Sequence, residues 1–239
     1  MNPPTVIRLH PTQRRANSIQ ELFAGKISAV VMEGVLHREQ CETTIKHIQN
    51  SNIQRPLFPQ FLVAGGMLMF AESKSGYFQQ NQNLQMAIAS LPIWECLAKA
   101  FQRLEIVVKP YCFPNGQPAA PFNVRELKPG GEIAVHSEHD RWPFMDELAT
   151  NLDLSTQLSF YVQLQPVVDG GQLEFVEATP NCPSWSISQP LPIALNHGDL
   201  IVFDGGRINH RVTKNQGPKS RWSLGGFGSV TDNVIYLWG

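Results

Sequence analysis

Charge is scarce in this chain. Only 16% of its 239 residues are Asp, Glu, Lys or Arg, and they leave a formal net charge of -1. No run of Lys or Arg stands out, Arg14-Arg15 being the densest pair near the N-terminus. Without a basic stripe there is no electrostatic footprint for a phosphate backbone, so nucleic acid is not expected as a partner. Cysteine is scarce too. Cys41, Cys96, Cys112 and Cys182 include no C-x-x-C pair, which argues against a zinc site, and the chain is long for a disulfide scaffold. The four are read as reduced thiols of a cytoplasmic protein. No apolar run approaches the ~20 residues of a membrane-spanning helix. The start, MNPPTVIRLHPTQRR, has no apolar core of a signal peptide. No membrane partner is expected. Internal repeats, low-complexity tracts and a long linker are absent as well, so residues 1–239 are read as one domain.

What is present is a large apolar fraction, 42%, ample for a core. The first half reads as mixed structure. ISAVVMEGVL (27–36) is β-branched and apolar, a strand. In HREQCETTIKHIQN (37–50), Cys41, Ile45 and Ile48 recur at helical spacing. NLQMAIASLPIWECLAKAFQRL (83–104) reads as helix interrupted or restarted at Pro92, and EIVVKPY (105–111) as a strand. The second half is a series of short β-rich runs broken by Gly, Pro and Asn/Asp: FNVREL, EIAVH, LSFYVQLQ, GQLEFVE, LPIALN, DLIVFDG, NHRVT, RWSLGGFGS and NVIYLW. Many close-spaced strands predict a sandwich or barrel. The expected class is α+β, with a double-stranded β-helix (jelly roll) core over about 120–239 and flanking N-terminal helices.

The chemistry concentrates at EIAVHSEHDRWPF (132–144). In a strand, residues i and i+2 project to one face, so His136 and Glu138 share a face while the adjacent His139 and Asp140 do not. A third ligand is sought in GDLIVFDGGRINHRV, where His210 sits on another predicted strand. Two histidines and one carboxylate make the facial set that suits Fe(II), because it leaves positions open for other ligands. Eleven residues on, in SRWSLGGF, Arg221 and Ser223 are two apart and share a face. A guanidinium fork with a neighbouring hydroxyl suits a carboxylate, so a dicarboxylate chelating iron at one end would place its other carboxylate there. TKNQGPK between His210 and Arg221 reads as a turn, which makes the two strands expected antiparallel neighbours.

The order HxE, distal His, RxS resembles the Fe(II)/2-oxoglutarate-dependent dioxygenases. GGEIAVH, DLSTQLSFYVQL, DGGQLEF, GDLIVFDGGRINHRVTK and SRWSLGGF are similar to stretches of the carrier-protein-independent halogenases, the cyanobacterial enzymes that chlorinate indole alkaloids. The similarity is weak up to about residue 120 and clear beyond it. It implies Fe(II), 2-oxoglutarate and O2 as cofactors, with His136, Glu138 and His210 as catalytic metal ligands and Arg221 and Ser223 on the cosubstrate. One position departs from that family: the halogenases carry glycine where this chain has Glu138, and a carboxylate there fills the seat a chloride would take. The implied reaction is hydroxylation of an unactivated C–H bond of a small molecule, with 2-oxoglutarate decarboxylated to succinate. Halogenation, desaturation or ring closure, and hydroxylation of a peptide are the alternatives within the superfamily. A jelly-roll binding module is the alternative outside catalysis.

Other residues admit two readings each. Arg125, in FNVREL, reaches cosubstrate or a substrate acid, or makes a structural salt bridge. Ser159 and Tyr161 line the cosubstrate pocket or simply pack. Met67 and Met69, in GGMLMF, wall a substrate pocket or belong to the core. Trp142 and Phe144 cover the iron or pack as a loop. His139 and Asp140 orient ligands or are solvated. Gly170-Gly171 and Gly205-Gly206 read as tight turns. Substrate identity and oligomeric state leave no mark in the sequence.

Overall fold

A computed structural model describes residues 4–138, 148, 151–178 and 189–239. In chain order the first half gives β1 (Val6–Leu9), α1 (Ser18–Phe23), β2 (Ala29–Met32), α2 (Arg38–Ser51), β3 (Arg55–Phe58), β4 (Phe61–Ala64), α3 (Lys74–Ile88), α4 (Ile93–Gln102) and β5 (Val107–Pro110). The second half gives β6 (Asn123–Leu127), β7 (Ile133–His136), β8 (Gln157–Gln165), β9 (Leu173–Ala178), β10 (Leu191–Ile193), β11 (Leu200–Phe203), β12 (Ile208–Val212), β13 (Arg221–Thr231) and β14 (Val234–Trp238). Two sheets result. A ten-stranded sheet runs β1-β2-β11-β8-β13-β6-β4-β3, with β14 paired to β13 and β5 to β14. A four-stranded antiparallel sheet runs β10-β9-β12-β7. Among the described residues only β1–β2 and β14–β5 are parallel pairs.

The period-2 pattern of the large sheet assigns its residues to two different cores. On β2, Val30 and Met32 belong to the cluster that receives the helices, and Ala29 and Val31 to a cluster that includes residues of the small sheet. On β11, Leu200 and Val202 go to the helices, Ile201 and Phe203 to the inter-sheet space. A strand apolar on both faces is what a covered, central strand requires. The helices supply matching stripes: Cys41, Ile45 and Ile48 from α2, Leu84 and Ile88 from α3, Leu97 and Phe101 from α4. Helix α2 starts on a capping box, His37 N–H donating to Gln40 Oε1 at 2.7 Å. Pro92 separates α3 from α4 and N-caps the latter.

The double-stranded β-helix with its helical cover is as expected, with four departures. The jelly-roll sheet is not confined to residues 120–239, because β1, β2 and the hairpin β3–β4 extend it from the N-terminal half. The strand expected over 27–36 is only Ala29–Met32, since the chain turns at Gly34 with φ of 60°. Helix α3 begins at Lys74, nine residues before the expected start at 83, on an N-cap in which Ser73 Oγ accepts from Gly76 N–H. The strands of His210 and Arg221 are not neighbours. β12 lies in the small sheet and β13 in the large one, so the segment between them crosses from sheet to sheet and sets the two groups on opposite walls.

Candidate metal centre and carboxylate clamp

The small sheet presents the two histidines. His136 ends β7, the edge strand, and its Cα pairs with that of His210 on β12. Each ring is fixed by a backbone carbonyl two residues back: His136 Nδ1 lies 2.8 Å from Ala134 O, and His210 Nδ1 2.8 Å from Ile208 O. A carbonyl only accepts, so each Nδ1 carries a proton, and in the neutral ring each Nε2 offers its lone pair to a metal. Phe203 packs edge-on against His210, ring centroids 4.9 Å apart.

Glu138 reaches the same point by a different route from the one the spacing predicts. It is past the end of β7, in a turn, and its N–H donates to Gly205 O at 3.0 Å. Gly205 belongs to the turn before β12 that the sequence marks as tight. That glycine has a second duty: a Cβ there would stand 2.5 Å from Glu138 Cγ and 2.2 Å from Ser159 Oγ. Glu138 Oε1 is 3.4 Å from His210 Nε2 and 3.8 Å from His136 Nε2. One ligand atom from each of the three residues lies within 4.8 Å of the others, so the trio could hold a metal ion. Burial, then the charge of His210, holds His136 below the ordinary imidazole range. Burial pushes the Glu138 carboxyl up, but the hydrogen bond and charge of His210 outweigh it and leave it below the usual carboxylate range. Both shifts keep the ligands deprotonated near neutral pH, the form a metal requires.

The opposite wall carries the guanidiniums. Arg221 and Ser223 open β13, both buried, with Arg221 Nη1 3.4 Å from Ser223 Oγ. The Arg221 guanidinium lies 5.3 Å from the centroid of the Tyr161 ring. Arg125 on β6 is in register with Ser223. Among the described residues no carboxylate pairs with Arg221 or Arg125. Arg125 Nη2, Ser159 Oγ and Tyr161 Oη are buried without a partner at hydrogen-bonding geometry. Native interiors rarely leave such groups unmatched, and an unpaired buried cation is costly. A bound dianion would satisfy this wall, and the carboxylate and imidazoles facing it suit a divalent metal, so the donor set fits an iron and keto-acid pair.

A family model for the carrier-protein-independent halogenase WelO5 matches residues 6–239. The chain belongs to that family. Its members are Fe(II)/2-oxoglutarate enzymes, and Fe(II), 2-oxoglutarate and O2 are the cofactors this membership brings. No curated protein matches. Among solved structures, an N-substituted L-amino acid dioxygenase from Burkholderia ambifaria AMMD is 13% identical, with a TM-score of 0.56 over 93% of this chain and 90% of that one. A prolyl hydroxylase from Trichoplax adhaerens, in complex with a hypoxia inducible factor peptide fragment, is also 13% identical, with a TM-score of 0.49 over 92% and 86%. At that identity the likeness to the amino acid dioxygenase is one of fold, the jelly roll.

Of the five site residues read from the motifs, the fold clusters His136, Glu138 and His210 and sets Arg221 beside Ser223 on the other sheet. Met67 is buried among Phe61, Val63, Leu127 and Val212, which makes it core. Trp142, Phe144, His139, Asp140 and Cys182 lie outside the described residues. Asn123 went unread. Its Oδ1 accepts from Arg125 Nε at 2.7 Å, and the signal was its place two residues before Arg125 on a strand. No described helix is long and apolar enough to cross a membrane.

Proposed function

We propose that this family member hydroxylates an unactivated C–H bond of a small molecule, with 2-oxoglutarate decarboxylated to succinate. The observation that carries the reading is Glu138: its carboxylate stands with His136 and His210 in one ligand cluster, where the halogenases that the sequence resembles carry glycine. A carboxylate in that seat leaves no vacancy for a halide. In this reading His136, Glu138 and His210 hold Fe(II), and Arg221 with Ser223 holds the far carboxylate of 2-oxoglutarate. Iron and keto acid together supply the oxidising chemistry when bound, and the protein supplies binding, orientation and a dry site.

The chain's own residues do three things. The carbonyls of Ala134 and Ile208 hold the Nδ1 proton of each ring, so in the neutral imidazoles Nε2 is the atom left to bind a metal. The Tyr161 ring covers one side of Arg221 and keeps water from it, which strengthens a charge-assisted bond to a carboxylate. The hydroxyls of Ser223 and Tyr161 stand ready to complete that carboxylate's hydrogen bonds. A cytoplasmic setting suits the free thiols of Cys41, Cys96 and Cys112.

The test begins without oxygen. Fe(II) and 2-oxoglutarate are added to metal-free protein and the visible charge-transfer band of the chelate is sought, in wild type, His210→Ala and Arg221→Ala. A band in wild type that is lost or weakened in both variants supports the assignment. A well-folded wild type with no band overturns it and favours a binding module. Oxygen and a metabolite panel with chloride then decide the reaction: a chlorinated product would overturn hydroxylation.

A further inference from the structure

Arg125 is the buried cation that the proposed reaction does not use. Its strand, β6, lies beside β13, and its register partner is Ser223 of the clamp, so it faces the same inter-sheet space as Arg221. Asn123 Oδ1 accepts from its Nε at 2.7 Å, which restrains the side chain. Nη2 is out of solvent and without a partner, and among the described residues no carboxylate forms an ion pair with it. Burial lowers the Arg125 pKa, Glu138 pushes it back up and Arg221 pulls it down. The charges acting on Glu138 are those of His210, His136 and Arg125. The charge of Arg125 is therefore coupled both to the ligand trio, through Glu138, and to the clamp, through Arg221.

A restrained guanidinium with an unmet donor, and no carboxylate in contact with it among the described residues, is a receptor for an anion from outside. We infer that Arg125 is a second carboxylate-binding residue of the site, independent of Arg221, in the inter-sheet space it shares with the clamp. The inference rests on the function proposed above. Two carboxylates can arrive there with the same chemistry: the keto-acid end of the cosubstrate, or the acid group of a substrate.

Binding measurements on anaerobic Fe(II)-loaded protein separate these. The visible band is titrated with 2-oxoglutarate and with 2-oxobutyrate, which lacks the far carboxylate, in wild type, Arg125→Gln, Arg125→Lys and Arg221→Gln. If the keto-acid end is the ligand, Arg125→Gln weakens both keto acids by the same factor, roughly ten- to a hundredfold. Lysine then restores part of the loss, and Arg221→Gln weakens 2-oxoglutarate alone. If a substrate acid is the ligand, both keto acids bind Arg125→Gln as they bind wild type. Phenylacetate, but not phenylacetamide, then shifts the band of the wild-type 2-oxoglutarate complex and fails to shift that of Arg125→Gln. Unchanged behaviour of Arg125→Gln in both arms overturns the inference. So does a lower Tm of ligand-free Arg125→Gln with binding intact, which marks a structural arginine. Absence of any band in wild type overturns the proposed function instead.

Discussion

Alanine at position 205 would place a methyl carbon 2.5 Å from Glu138 Cγ and 2.2 Å from Ser159 Oγ. Carbon atoms in contact need about 3.5–4.0 Å, so something must move by roughly 1 Å or more. The Ser159 hydroxyl can swing to another rotamer. Glu138 is more constrained: its N–H is bonded to Gly205 O, and its carboxylate lies 3.4 Å from His210 Nε2. Position 205 is outside the left-handed region, so backbone strain adds nothing and the whole effect is steric. Overpacking of this kind costs about 1–3 kcal/mol, which for a chain of this size lowers Tm by roughly 2–12 °C. A reactive group displaced by 1 Å typically costs about a hundredfold in rate. The assay is a titration of the metal-free Gly205→Ala variant with Fe(II) or Co(II), beside a thermal melt. Metal affinity should fall by far more than the melt accounts for, because the displaced side chain is a ligand. Wild-type affinity in Gly205→Ala would refute both the ligand role of Glu138 and the tightness of its seat.

Three further outcomes are expected. Tyr161→Phe removes a buried hydroxyl that makes no well-aligned hydrogen bond and lies beside the Arg221 charge, so its ligand-free Tm should stay nearly level while 2-oxoglutarate affinity falls severalfold; equal losses in both would point to a packing role. Trp222, 2% exposed on the helix-covered face of β13, should cost about 3–5 kcal/mol on change to alanine, read from urea melts. Because His136 is held below about 6.5 when folded, the unfolded chain takes up its proton first. The metal-free protein should therefore lose stability as pH falls below about 6.5, the loss levelling off at the lower folded value. Glu138, also held low, adds stability that is present above its ordinary value and lost as pH falls through its folded one. Urea midpoints against pH should show a shallower slope below pH about 6.5 for His136→Gln than for wild type; identical slopes would refute the assignment.

The ligand trio and the clamp were legible because their signals are local: two residues apart at a strand end, or two apart on one strand. The route was not. The i, i+2 rule joins His136 to Glu138 only if the strand continues, and β7 stops at His136. What delivers Glu138 is a hydrogen bond to Gly205, more than sixty residues on in a different turn. The same limit explains the misplacement of β12 and β13. A seven-residue turn-like segment is consistent with a hairpin or with a step between sheets, and only pairing distinguishes them. Strands β1, β3 and β4 escaped notice because VIRL and RPLF set an arginine or a proline among their apolar residues and FLVA is too short to tell strand from helix. Arg125 could be singled out from its strand but not assigned, since the absence of a carboxylate partner is a property of the fold.

The insertion of β2 between β1 and β11 has a further consequence for the chain's autonomy. Strand β11 pairs with β2 on one side, β6 with β4, and β14 with β5. Residues 120–239 contain every proposed ligand, yet cut free they would expose three open strand edges and the apolar face that α2, α3 and α4 cover. Such edges recruit other chains. The N-terminal half therefore acts as the seal of the catalytic half, and the active centre is not a transplantable module.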